Sequence, residues 1–304
     1  MKIVGVLMFV VILAGLYLAF SSIFGTGKLI DFGYNKGNGI SGFSLSPRPS
    51  SEPVGNSQRI RVLEKQLVDA TSKVQPVPPV GFTVSDLSPY YKKVRVGSVR
   101  PPKGLDLGSF EIRGESSLKE GVNVSGWRIK NNKNNEILIP KGISDYRPAA
   151  ISYENVINIK AGDYIRFYGA SGPLKGLRLN KCTGFLDPVY NFKPVLPKNC
   201  PPLYDRGEIT SFSGVCQNYI FSLNSCEAPD LNEYYSKVSA GDSTCRSFID
   251  RFNYAGCYNR YSSNSDFYSH EWRVWLNQKL PFDPLHDRLI LLDENGLLVT
   301  EYSY

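Results

Sequence analysis

Histidine is nearly absent from this chain, with two among 304 residues, and methionine is equally scarce. That leaves little material for acid–base or metal chemistry, since imidazole titrates nearest neutrality and is the commonest metal ligand. No Cys-x-x-Cys pair occurs, and neither His270 nor His286 stands at ligand spacing from a cysteine, which argues against structural zinc. Neither histidine is flanked by a Gly-x-Ser-x-Gly nucleophile element. Like-charged blocks are also missing, so the formal charge of +7 is dispersed. Cysteine is absent before residue 182 and after residue 257.

What is present begins with an uncharged apolar run over residues 3–24, long enough to cross a bilayer as a helix. Lys2 in front of it favours a cytoplasmic N-terminus and an external C-terminal part, although Lys28 follows soon after. A cleaved signal peptide is the competing reading, with Ala19-Phe20-Ser21 as a poor cleavage site. The expected organisation is a transmembrane anchor over 1–25 and a Gly-, Ser-, Asn- and Pro-rich linker over 26–81. Within the linker a short helix is expected at about 57–74, where Ile60, Leu63, Leu67, Ala70 and Val74 recur at heptad spacing. That helix either supports weak self-association through residues 60–74 or docks on the downstream domain.

The six cysteines Cys182, Cys200, Cys216, Cys226, Cys245 and Cys257 lie in a segment that the topology places outside the cytoplasm, and they read as three disulfides. Their connectivity is open, because six cysteines allow fifteen pairings. The stretch between about 180 and 267 is rich in Pro, Asn, Ser and Tyr, with short helices expected at 215–224 and 244–254. Val215, Tyr219, Ile220 and Leu223, then Phe248, Ile249 and Phe252, would form one buried face each. Tyr254, Tyr258, Tyr261 and Tyr268 are either exposed ligand contacts or fillers of a small disulfide-bonded core.

Around this stretch the pattern is β. In VNVSGWRIKN, residues 122–131, the two-residue alternation changes phase across Ser125 and Gly126, which predicts a bulge that turns Trp127 towards the core faced by Val122 and Val124. A buried sandwich anchor is the reading for Trp127, with ligand stacking as its rival. In DRLILLDENGLLVTEYSY, residues 287–304, two apolar runs flank Asp293-Glu294-Asn295-Gly296, and Gly296 supplies the left-handed conformation of a hairpin loop. Both runs are expected to sit centrally, in contact with the Trp127 strand. Lys92, Lys93, Arg95, Arg100 and Lys103 form the densest basic run, with no acid among residues 88–104. The run reads as a charged edge strand or, less readily, as a strip that binds DNA or another polyanion.

The elements VRVGSV, SFEIRGES, VNVSGWRIKNNKNNEILIPKG and the closing hairpin together resemble the lamin-tail domain. The resemblance implies an all-β fold, an immunoglobulin-like β-sandwich over 82–304, found in nuclear lamins and in bacterial secreted or membrane-attached proteins as an interaction module. It makes Trp127 the core tryptophan. The Cys-bearing insertion is far larger than the family's usual loop, which directs a binding role towards it, and the anchored layout looks bacterial.

For chemistry, His270-Glu271 and His286-Asp287 are adjacent pairs of a kind that arises by chance, so a hydrolase ranks third among the functions considered. Gly169-Ala-Ser-Gly172 precedes Pro173 and no helix, unlike a phosphate cradle. Asp283, Asp287, Asp293 and Glu294 match no calcium loop. No catalytic residue, metal or cofactor is therefore expected. The expectation is a single-pass plasma-membrane protein whose external domain binds a protein or glycan of the cell envelope, with a nucleic-acid partner ranked behind.

Overall fold

The structure is a computed structural model that describes residues 60–64, 76–238 and 241–304. The chain divides into two compact units, Met1–Asp69 and Ala70–Tyr304. In the first, residues 60–64 are helical with Ile60 and Leu63 exposed. The apolar run 3–24, most of the linker and the remainder of the helix expected at 57–74 lie outside the described residues. Among the described residues no helix is long and apolar enough to cross a membrane.

The second unit is mostly β, with eleven strands in three sheets among the described residues. One sheet has five strands, in the order β1 (Val94–Arg100), β2 (Ser109–Gly114), β7 (Tyr164–Tyr168), β9 (Tyr268–Trp275), β8 (Gly176–Asn180). The other has four, in the order β11 (Leu298–Ser303), β10 (Arg288–Leu292), β4 (Arg128–Lys130), β5 (Glu136–Leu138). β3 (Val122–Asn123) and β6 (Asn158–Ile159) form a pair of their own. Pairing is antiparallel except between β7 and β9.

Alternation along the strands sorts side chains between two faces. Register lines up Val96, Ile112, Ile165 and Trp272 as one apolar row across four strands, and Phe110, Phe167 and Val274 as the next. These rows meet Ile129, Ile137, Leu289, Leu291 and Val299 of the four-stranded sheet in a single buried cluster. Trp127 sits in that cluster at 1 % exposure, its ring 5.7 Å from that of Tyr90.

The phase change before Trp127 is a turn and not a bulge within one strand. Trp127 N–H donates to Val124 O at 3.1 Å, and Gly126 lies at φ +90° between them. Only a residue without a side chain enters that region at no steric cost, which suits the third position of a type II turn. The Ser125 hydroxyl fastens the turn, donating to Pro140 O and accepting from Ile157 N–H. The chain thereby leaves the β3–β6 pair and joins the four-stranded sheet.

In the closing hairpin the Asp293 carboxylate accepts from the N–H groups of Asn295 and Leu297, and Gly296 has φ +81°. β10 is central, pairing Leu291 with Ile129 of β4. β11, expected beside it in the centre, instead ends the sheet. Residues before β1 cover its outer edge, with Ser88 and Lys92 donating N–H to Leu298 O and Val299 O.

The Cys-bearing insertion joins β8 to β9, neighbours in the sheet, and Asn180 pairs with Tyr268 across its base. It holds six short helices among the described residues: α1 (Asp187–Tyr190), α2 (Arg206–Ile209), α3 (Gly214–Ser222), α4 (Leu231–Lys237), α5 (Ser243–Ile249) and α6 (Tyr254–Tyr261). Three disulfides hold them: Cys182–Cys257, Cys200–Cys226 and Cys216–Cys245. The last joins two helix starts that are also capped in concert. Ser213 accepts from Cys216 N–H, Asp242 accepts from Cys245 N–H, and the Ser213 hydroxyl donates to Asp242 at 3.1 Å.

The helix expected over 244–254 stops at Ile249, because Asn253 ties its amide to Asp250 O and caps the next helix through Gly256 N–H. Val215, expected on the buried face of α3, is 54 % exposed, while Cys216 beside it takes the buried position.

Candidate functional site

The four insertion tyrosines are not a free contact surface. Tyr254 is buried, donating to Tyr146 O at 2.6 Å and accepting from the Asn180 amide at 3.0 Å. Tyr258, half-buried, donates to the Asp145 carboxylate at 3.0 Å, and Tyr268 also bonds that group. Tyr261 donates to Pro202 O. Burial pushes the Tyr254 and Tyr268 phenols well up from their ordinary value, and burial together with the Tyr190 hydroxyl 2.5 Å away pushes Tyr146 to about 12. Burial alone would raise Asp145, but hydrogen bonds from Arg147, Tyr268 and Tyr258 outweigh it and hold the carboxylate below its usual range. Tyr254 and Tyr258 thus fasten the insertion to the loop between β5 and β6, while Tyr261 bonds within the insertion, in line with the core-filling alternative.

The two arginines of the basic run are paired with acids from outside its own sequence window. β1 is an edge strand with Val94 and Val96 buried. Arg95 pairs with Glu115 at 2.7 Å and Arg100 with Asp106 at 3.2 Å. Lys92, at φ 58°, and Lys93 precede the strand in a turn, and Lys103 closes a backbone pair with Asp106. Arg95 and Arg100 stand opposite Arg113 and Ser109 on the outer face of the sheet, whereas Lys92, Lys93 and Lys103 lie outside the strand.

His270 Nδ1 lies 2.6 Å from Asp163 Oδ1, and the ring is 63 % exposed. The second oxygen of Asp163 accepts from Lys160 N–H. His286 is exposed, and Asp287 beside it is buried as a turn anchor that accepts from the N–H groups of Asn132, Arg288 and Asp283. With Asp293 holding the hairpin and Asp283 facing Lys133, the four acids weighed for calcium are spent on turns, the hairpin loop and an ion pair or, for Glu294, exposed.

Sequence reasoning passed over the ion ladder on the outer face of the five-stranded sheet. Glu111, Arg166 and Arg273 stand in register across β2, β7 and β9. Glu271 accepts from Arg273 at 2.7 Å, from Tyr164 at 3.1 Å and from Arg166 at 3.3 Å. Arg273, 6 % exposed, extends to Val195 O at 2.8 Å, and the Trp275 indole donates to Lys193 O at 2.9 Å. These contacts latch the start of the insertion to the sheet. The sequence signal was the adjacency of Glu271 to His270, which drew notice to the histidine alone.

A groove of about 750 Å³ opens where β5 faces the loops after β7 and β9, lined by Glu136, Leu138, Pro140, Ser171, Lys175 and Asn277 among others. Its far wall is held by main-chain bonds from Leu276 N–H to Tyr168 O and from Gln278 N–H to Gly169 O. Here the Gly169-Ala-Ser-Gly172 motif finds its reason. A Cβ on Gly169 would stand 2.4 Å from Leu107 O, and one on Gly172 would stand 2.4 Å from the Trp275 ring. Close packing of the wall, and not a phosphate, requires those glycines. Glu136 is engaged by Lys130 at 3.5 Å and Lys175 by Glu154 at 3.7 Å, so the groove offers amides, a hydroxyl and main chain with its charges balanced. No family model matches the chain, and no curated protein or solved structure is significantly similar to it.

Proposed function

We propose that this chain is a non-enzymatic, membrane-anchored interaction module of the bacterial cell envelope, with its C-terminal unit outside the cytoplasm. On this reading the two facing sheets are an immunoglobulin-like sandwich of the lamin-tail type, carrying an enlarged disulfide-bonded insertion between β8 and β9. The observation that carries the proposal is the groove beside β5. Its lining suits hydrogen-bonded recognition of a neutral partner, because its one carboxylate and its one ammonium already have counter-charges. The three disulfides support an oxidising compartment, and the uncharged run at 3–24 supports anchorage. A pull-down from envelope extract with the oxidised full chain in detergent, washed at low and then high salt, tests it. A specific protein or glycan retained at high salt is the expected result. Nucleic acid or anionic polymer retained at low salt only would transfer the function to the basic residues around β1.

A further inference from the structure

β5 ends the four-stranded sheet, and the groove lies along its open side. The ladder with β4 fixes which main-chain groups point where. Ile139 N–H donates to Trp127 O, Asn131 N–H donates to Asn135 O, and Ile137 stands opposite Ile129 between them. In an antiparallel pair the residues between such bonded positions direct N–H and C=O away from the partner strand. Glu136 and Leu138 therefore present two donors and two acceptors to the groove. Both residues line it, whereas Ile137 faces the core. Among the described residues no third strand pairs with β5.

Edges of this kind are usually blunted, and one edge of each large sheet is covered. β11 is covered by residues 87–92, and β8 is bridged by Ile143, which donates to Gly176 O and accepts from Arg178 N–H. β5 lacks such a cover among the described residues, and Leu138 at its end is 60 % exposed.

We infer that this edge takes an extended, uncharged peptide segment of a partner protein, which adds to the sheet as a strand beside β5. The inference rests on the interaction-module reading and gives it a site and a ligand class. The charge of the groove lining selects the occupant. The balanced charges of Glu136 and Lys175 give no purchase to a charged segment. Main-chain bonds to Glu136 and Leu138 would supply affinity. Leu138 would select an apolar side chain, and the amides of Asn277 and Gln278 a polar one.

Leu138→Pro is the discriminating variant. It deletes an N–H that the β4 ladder does not use, at an edge position where proline is tolerated. The full chain in detergent is panned against a phage-displayed library of random peptides, and binders are measured against wild type and Leu138→Pro. The expected result is uncharged binders that weaken about ten-fold on the variant, as loss of one or two main-chain bonds implies. Amide exchange on the wild type, which does not depend on the variant folding, should slow at Glu136 and Leu138 when peptide is added. Binders unaffected by Leu138→Pro, protection elsewhere, or protection of these amides by raised protein concentration alone would overturn strand addition. If the envelope pull-down still captures a partner at high salt in that event, the broader function stands. If it captures none, both fall.

Discussion

The apolar cluster between the two sheets contains no cysteine, whereas the cluster beneath the insertion contains all six. The first is filled by alternate residues of long ladders, where each strand is fixed by its neighbours. The second is assembled from helices of four to nine residues, irregular loops and aromatic rings such as Phe192, Phe248 and Phe267. Helices that short do not hold in isolation, so cross-links and caps replace regular pairing there. One core rests on register and the other on covalent and hydrogen-bonded fastening.

The most damaging way to test that contrast is to hollow the first core. Trp127→Ala should cost about 3–5 kcal/mol by chemical denaturation and unfold both regions together, since the insertion is built on β8 and β9. A protein that keeps its stability would show that the sheet cluster is not the foundation. Removing Cys182 and Cys257 together should cost about 2–4 kcal/mol, with hydrogen exchange accelerating across 183–257 while β4 and β10 stay protected. Uniform loss of protection would erase the distinction between the regions.

Arg273→Met removes one of three partners of Glu271 and the tie to Val195, and about 2 kcal/mol is expected. The readout is faster exchange at residues 193–197, and no change there would deny the latch. Gly296→Ala places a side chain at φ +81° in the hairpin, for about 1–2 kcal/mol confined to β10 and β11. The smallest effect is alkaline. Tyr146 is raised to about 12 by burial and by Tyr190, so its folded form holds the proton more tightly than the unfolded chain. That contribution is complete below the ordinary tyrosine value of about 10 and is lost as pH climbs towards the raised one. Phenolate absorbance of wild type minus Tyr146→Phe should show the late titration, and a midpoint near 10 would remove Tyr146 from the fastening.

Regular elements announced themselves in the residues. The hairpin was legible because Asp293 and Gly296 suit its loop and apolar runs flank them, and the insertion because every cysteine falls within it. Its base at Asn180 and Tyr268 agrees with the change in composition. Partners distant in sequence were less legible. Glu115 and Asp106 lie outside the basic window whose arginines they pair with, and Asp145 is more than a hundred residues from Tyr258. The groove was invisible, because its walls come from residues 136–140, 171–175 and 275–278, and only the glycines of the second wall left a trace.

The sequence by itself determined the closing hairpin, the buried position of Trp127, the glycine-dependent change of direction before it and the confinement of disulfides to one segment. The first three follow from local sterics or from side-chain alternation along one strand, and the last from where the cysteines stand in the chain. Tertiary structure alone decided which cysteines pair, which acids meet the basic run, that the tyrosines turn inward and that β5 is left open. Those outcomes depend on which segments become neighbours in space, and the chain fixes that only when it packs as a whole.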